Sequence, residues 1–341
     1  AAMKNDREVV LAAISQDGFA LIYASGALKA DREVVLAAVH KNSNALKYAS
    51  AAMKNDREVV LATVNTTSRA LEYASAAMKN DREVVLAAIS QDGTALEYAS
   101  DALKNDREIV LAAVNQNGQA LRFASAALKA DRKVVLTAVN QNGQTLCFAS
   151  ATMKDDREVV LAAVNQNGQA LRFASDEMRA DREVVLAAVN QYGKALNYAS
   201  DALQADRDVV LAAVNKKDEV LRLAPSSLRN DRDFILELVN RNGLVLQWVD
   251  SHWKADSDIV LAALQQNTKA QDYISGNLLT STIKRIIALN EAVERSPGIP
   301  NLSDDALNQI ITFFFPHSNE QNHIKTYREI NQICRLSSVT E

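Results

Sequence analysis

The residues best equipped for chemistry in this chain are recurring carboxylates and guanidinium groups: Asp6-Arg7-Glu8 returns as Asp31-Arg32-Glu33, then as Asp56-Arg57-Glu58, and onward. Two carboxylates around a cation suit general acid and base work, or a stacked ladder of charge that grips an anionic partner. Their context gives a simpler account. Each aspartate stands just before an apolar run, where its side chain can cap a helix. Each glutamate falls in the first turn, where the helix dipole favours negative charge. The four histidines, His40, His252, His317 and His323, are scattered, and the closest two are six apart, which does not place both rings on one helical face. Cys147 and Cys334 lie far apart with no CxxC spacing and read as reduced thiols. There is no phosphate-cradling glycine loop and no HExxH. The expectation is therefore no catalytic residue, no cofactor, no metal site, and a chain that is not an enzyme.

The elements that position these residues follow from a period of 25. Aspartate occupies the sixth position of all eleven repeats, from Asp6 to Asp256, and leucine the eleventh, from Leu11 to Leu261. In the stretch from Asp106, the aspartate predicts an N-cap, and Ile109, Val110, Leu111, Ala113 and Val114 make the apolar stripe of a helix of about ten residues. Asn115-Gln116-Asn117-Gly118 ends it, and glycine at the eighteenth position of seven repeats reads as a left-handed helix end. Gln119 to Ala124 predicts a second, short helix burying Ala120, Leu121, Phe123 and Ala124. Serine fills the twenty-fifth position in nine repeats and starts a separate helical turn, as at Ala126-Ala127-Leu128-Lys129, with the leucine inward. The β-branched Val-Val-Leu run and the Asn-Gly pair also fit a strand and hairpin. Abundant alanine and the lack of period-two alternation argue for helix.

Composition agrees. Among 341 residues, glycine and proline together number only 14, which excludes a loop-rich or disordered chain. A repeat this short cannot bury its own apolar face, so neighbours must stack. The expected fold is all-α: an α-solenoid of eleven 25-residue repeats over 1–275, each of two short helices plus a helical turn, then a capping helix over 276–295 and a helical tail over 296–341. A formal charge of -4 gives no excess for nucleic acid or anionic lipid, and no apolar run approaches the roughly 20 residues that span a bilayer. Neither nucleic-acid binding nor membrane insertion is expected.

Three sets of columns remain as surfaces. The arginines of position seven face carboxylates in adjacent columns of their own and neighbouring repeats, so these charges can neutralise one another. The aromatic column Tyr98, Phe123, Phe148 offers stacking faces for RNA, but it falls within the apolar stripe of an acidic chain. Positions nineteen and twenty-two vary most on the constant frame, which either a recognition surface or unconstrained solvent exposure produces; on the first account Glu97, Arg122, Arg172 and Asn197 are candidate contacts for a protein partner.

The unit Asp-Arg-Glu-Val-Val-Leu-Ala-Ala-Val, then Gly, then Ala-Leu-x-Phe/Tyr-Ala-Ser, resembles the repeat known as domain of unknown function 4116, and the resemblance covers residues 1 to 275. That family has no assigned activity. Its members occur in protists and in effectors that intracellular bacteria inject into host cells, so the resemblance implies an effector in host cytoplasm with host proteins as partners. The tail from Leu302 to Phe314, with Ile333-Cys334-Arg335, looks like an F-box. That likeness implies that Leu302, Leu307, Ile310, Ile311 and Phe314 would contact Skp1 of a ubiquitin ligase. Ser303 departs from the usual proline, and the connection over 315–321 is long for the motif. The last residues, Leu336 to Glu341, are similar to the loose C-terminal signals of type IV secretion.

Overall fold

The computed structural model describes residues 2–274, and the chain divides into two compact parts, Ala1–Ser200 and Asp201–Glu341. Every regular element among the described residues is helical. The fold is an all-α solenoid of tandem repeats, and repeat five shows why these residues build it. Asp106 is extended (φ -81°, ψ 115°), and its carboxylate accepts hydrogen bonds from the amides of Glu108 and Ile109, two donors that the helix Arg107–Gln116 cannot satisfy itself. Ile109, Val110, Ala113 and Val114 are buried, and Leu111 is half-buried. Asn117 returns to extended backbone, closes the helix through its amide, and caps the next element through Gln119. A short turn then leads to the next aspartate. In repeat three this turn is Ala51–Lys54, capped by Ser50 through the Met53 amide, and in repeat six it is Leu128–Ala130.

Two sequence expectations need correction. The second helix is a 3-10 helix, Gly118–Phe123 in repeat five, so buried positions recur every three residues. Gly118, Leu121 and Ala124 lie along one line against the core, with Ala120 beside them. Phe123, expected to be buried, lies one turn beyond Ala120 at the border of the core and is half-buried.

The second correction concerns glycine. Gly93 and Gly143 do not adopt left-handed backbone; a Cβ on either would lie 2.2 Å from the carbonyl oxygen of Ala113 or Ala163 in the following repeat. These glycines let two repeats touch, rather than let one helix end. Ser43, Ser68 and Asp218 hold the same place, so at those junctions a side chain is accommodated.

Within Ala1–Ser200 the longer helices, of eight or ten residues, pack on one another in succession, as do the 3-10 helices. The turns are tied by backbone bonds, with the amides of Ser75, Ser100 and Ser125 donating to the carbonyls of Lys54, Lys79 and Lys104 at 2.9 Å. Val134, Val135, Ala138, Val139 and Leu146 are fully enclosed, so the core is continuous from repeat to repeat. Each such leucine contributes about 1.5–3 kcal/mol. The part beginning at Asp201 repeats the plan: Asp206, Asp231 and Asp256 cap the helices Arg207–Lys216, Arg232–Arg241 and Ser257–Gln266. Phe234 there replaces the usual valine or isoleucine and is buried. The expected capping helix over 276–295 and the tail over 296–341 lie outside the described residues.

Candidate functional site

Two surfaces carry the charged columns, and they differ in how their charges are used. On the first, each arginine reaches carboxylates one repeat onward. Arg57 Nε donates to Asp81 Oδ2 at 3.1 Å, and the same guanidinium pairs with Glu83. Arg157 repeats this with Asp181 at 2.9 Å and Glu183, and Arg132 with Asp156 at 2.9 Å and Glu158. The aspartate thus caps its own helix and receives the neighbour's cation.

Its ionisation reflects both roles. The hydrogen bond from Arg107, with the Val134 amide, holds the Asp131 carboxyl below the usual range against the opposing effect of burial. For Asp81, burial pushes upward but is outweighed by the Val84 amide and Arg57. The hydrogen bond to Asp131 in turn raises Arg107. One rung departs from the pattern: Lys133 stands where its neighbours have glutamate, leaving Arg107 with Asp131 at 2.7 Å. In the second part, Arg207 turns to Glu237 at 2.8 Å, and Arg232 engages Asp256 at 3.2 Å and Asp258. The crevice beside Arg57, Asp81, Arg82, Glu83 and Leu86 is therefore walled by groups already paired. With two carboxylates to the cation in most rungs, this ladder is acidic.

The second surface lies on the 3-10 helices. Their three-residue period turns position twenty-two outward, and Glu97, Arg122, Arg172 and Asn197 are all exposed on this column. Beside it runs the aromatic column, half-buried at Tyr73, Tyr98, Phe123, Phe148, Phe173 and Tyr198. The Arg122 guanidinium stacks 4.6 Å from the Phe123 ring centroid, and Arg172 lies 4.3 Å from that of Phe173. Arg172 also donates to Gln144 Oε1 at 3.3 Å, and Gln144 Nε2 donates to Gln169 Oε1 at 3.2 Å, which links neighbouring repeats along position nineteen. Arg69 pairs with Glu72 at 3.3 Å.

Between the two arginines in the column sits the half-buried Cys147, whose thiol is pushed up by burial against the opposing charges of Lys154 and Arg172. The lysines of position four border the same column: Lys29 Nζ reaches the carbonyl of Ile22 at 2.8 Å, as Lys254 does that of Gln247. That the aromatic column is only half-buried, with lysines bordering it, was not anticipated from the sequence. The signal for it was the recurrence of small or apolar residues at positions eighteen, twenty-one and twenty-four. The glutamine of position sixteen was also missed; Gln166 Oε1 accepts from the Gly143 amide at 2.7 Å and so ties consecutive repeats. Leu302, Leu307, Ile310, Ile311 and Phe314 lie outside the described residues.

The family described as Domain of unknown function (DUF4116) matches residues 3–29, 31–79, 81–129, 131–179, 181–229 and 231–279. The chain belongs to this family. Each longer DUF4116 match begins at a capping aspartate, from Asp31 to Asp231, and spans two of the 25-residue repeats. The structural unit is therefore half the family unit, since every 25-residue repeat carries the same capped helix and 3-10 helix. Comparison with curated proteins and with solved structures finds no match. Among the described residues, no group of three or more His, Cys, Asp or Glu could hold a metal ion. No described helix is long and apolar enough to cross a membrane.

Proposed function

We propose that the DUF4116 repeats form a noncatalytic scaffold that binds protein partners along the exposed side of the 3-10 helices. The observation that carries this reading is the contrast between the two surfaces. Arginines of the ladder are engaged by the next repeat, whereas Glu97, Arg122, Arg172 and Asn197 project from a constant frame with side chains of three kinds, acidic, basic and amide. A surface that changes chemistry at each step while the backbone repeats suits recognition of one extended partner. The effector setting in host cytoplasm, with host proteins as partners, is what the family resemblance implies.

The test is affinity capture from eukaryotic lysate with the full chain and two altered forms. One replaces Glu97, Arg122, Arg172 and Asn197 by alanine, and the other replaces the ladder residues Arg57 and Arg82. Partners lost only with the first form support the reading. Partners retained by it, or no partner for the unaltered chain, overturn it.

A second reading rests on the tail motif from Leu302 to Phe314, which favours a Skp1 adaptor with the repeats as substrate-binding arm. Purified Skp1 should then bind the full chain and lose that binding when Leu302, Leu307, Ile310, Ile311 and Phe314 become alanine. Failure of the unaltered chain to bind Skp1 removes this reading.

A further inference from the structure

The net charge of -4 conceals a segregation. Each Asp-Arg-Glu triplet sets two carboxylates against one cation, so the ladder side concentrates negative charge. The side of the 3-10 helices carries the lysines of position four and, in repeats five and seven, arginines lying over aromatic rings. A guanidinium stacked on a ring is held in place while N–H donors at its edge can still meet a carboxylate, and of the two arginines Arg172 already gives one N–H to Gln144. Arg122 and Arg172 are exposed and lack a carboxylate partner among the described ion pairs. Glu97, one repeat before Arg122, reverses the sign. The strip thus reads negative, positive, neutral, positive.

We infer that the strip from Glu97 to Arg172 binds an extended acidic protein segment in which two carboxylates sit about six residues apart, preceded by a basic residue. The spacing follows from geometry. Neighbouring helices stack roughly 10 Å apart and an extended chain advances about 3.3 Å per residue, so each repeat takes about three residues of ligand. Arg122 and Arg172 are two repeats apart, which sets the carboxylate spacing; Glu97 is one repeat before Arg122, which places the basic residue about three positions earlier. The half-buried Phe148 between the arginines offers an apolar face to the intervening ligand residues. A protein segment fits better than a single-stranded nucleic acid because Glu97, and the Glu72 before it, would repel a continuous phosphate chain that passes the cationic pair.

This inference rests on the partner-binding reading above and adds the class of ligand. Its test uses the full chain and fluorescent synthetic peptides. One carries Lys, then Glu three residues on, then Glu six residues further; the second has the same composition with its glutamates three apart; the third keeps the Lys and replaces both glutamates by lysine. Oligouridine serves as the nucleic-acid probe. The first peptide should bind at least about tenfold more tightly than the second. R122E/R172E should lose that preference and bind the third peptide instead, which a misfolded variant would not do. Equal affinity for the first two peptides, or tighter binding of oligouridine than of any peptide, overturns the inference. If that happens while alanine at Glu97, Arg122, Arg172 and Asn197 still abolishes partner capture, the partner-binding surface stands and only the ligand class falls.

Discussion

Arg107 and Asp131 join two repeats at the point where a helix begins: Arg107 Nε donates to Asp131 Oδ2 at 2.7 Å, while Asp131 Oδ1 accepts from the Val134 amide at 3.0 Å. One carboxylate therefore serves a local role and a junctional role. The two can be separated, because asparagine caps a helix as well as aspartate but carries no charge. Asp131→Asn should cost about 0.2–1 kcal/mol, the range for a solvent-screened pair, since half of the Arg107 side chain is in water. Asp131→Ala should cost about 1 kcal/mol more through loss of the cap. Urea unfolding of the two variants checks the order; an asparagine variant as damaged as the alanine one would show that the pair, not the cap, dominates.

Lys133 is the rung that breaks the ladder. The helix Arg132–Gln141 has no acidic residue in its first turn, where its neighbours have Glu108 and Glu158. Lys133→Glu should stabilise the chain by about 0.5–1 kcal/mol, because it complements the helix dipole and gives Arg107 the second carboxylate that Arg57 and Arg157 already have. A lower urea midpoint for this variant would contradict the ladder's role in holding repeats together.

The caps also set a pH dependence. Asp31, Asp81, Asp106, Asp131, Asp156 and Asp181 are all held below the ordinary aspartate range by cap amides and arginines, against burial. A lowered folded-state value means that the stabilisation is complete above the unfolded value near about 3.9 and is lost as pH falls through the folded one. Stability measured by urea midpoint should stay level from about pH 8 to 5 and fall below about pH 4. The fall should be shallower for Asp131→Asn. A decline that begins near neutrality would point to groups other than these caps.

Gly143→Ala tests the corrected role of the glycines. The added methyl would meet the Ala163 carbonyl oxygen at 2.2 Å and the Gln166 Oε1 at 3.1 Å, so it forces neighbouring repeats apart. The expected cost is about 1–3 kcal/mol, the range for overpacking. Gly26→Ala, whose Cβ meets nothing within 4 Å, should be close to neutral or slightly stabilising. Equal effects at the two positions would refute the contact.

Much of this architecture is readable from residue spacing, and the places where it is not have a common cause. The aspartate caps, the Ile109 to Val114 stripe and the serine-capped turns are local features, and each appears where the period puts it. The neutralisation of the arginine column was also legible, since donor and acceptor columns stand side by side in every copy. What escaped were properties of the junction between repeats. Glycine at position eighteen has a familiar local use at helix ends, and only the nearness of the next repeat's carbonyl shows that its small size matters instead. A six-residue helix is too short for periodicity to distinguish 3-10 from α, or to show that Phe123 stands at the border of the core rather than within it. The exposure of the candidate column at Glu97, Arg122, Arg172 and Asn197 agrees with the variability that singled it out.

The approach of Gly143 to the Ala163 carbonyl involves backbone atoms and a missing side chain, with no residue of the outward column taking part. The step from one copy to the next is thereby insulated from what the copy displays. Duplication of such a unit lengthens a measuring scale without disturbing its graduations, and later substitutions at position twenty-two rewrite the marks one at a time. New specificities in this lineage can then arise by ordinary point mutation, with the fold asked to tolerate nothing new.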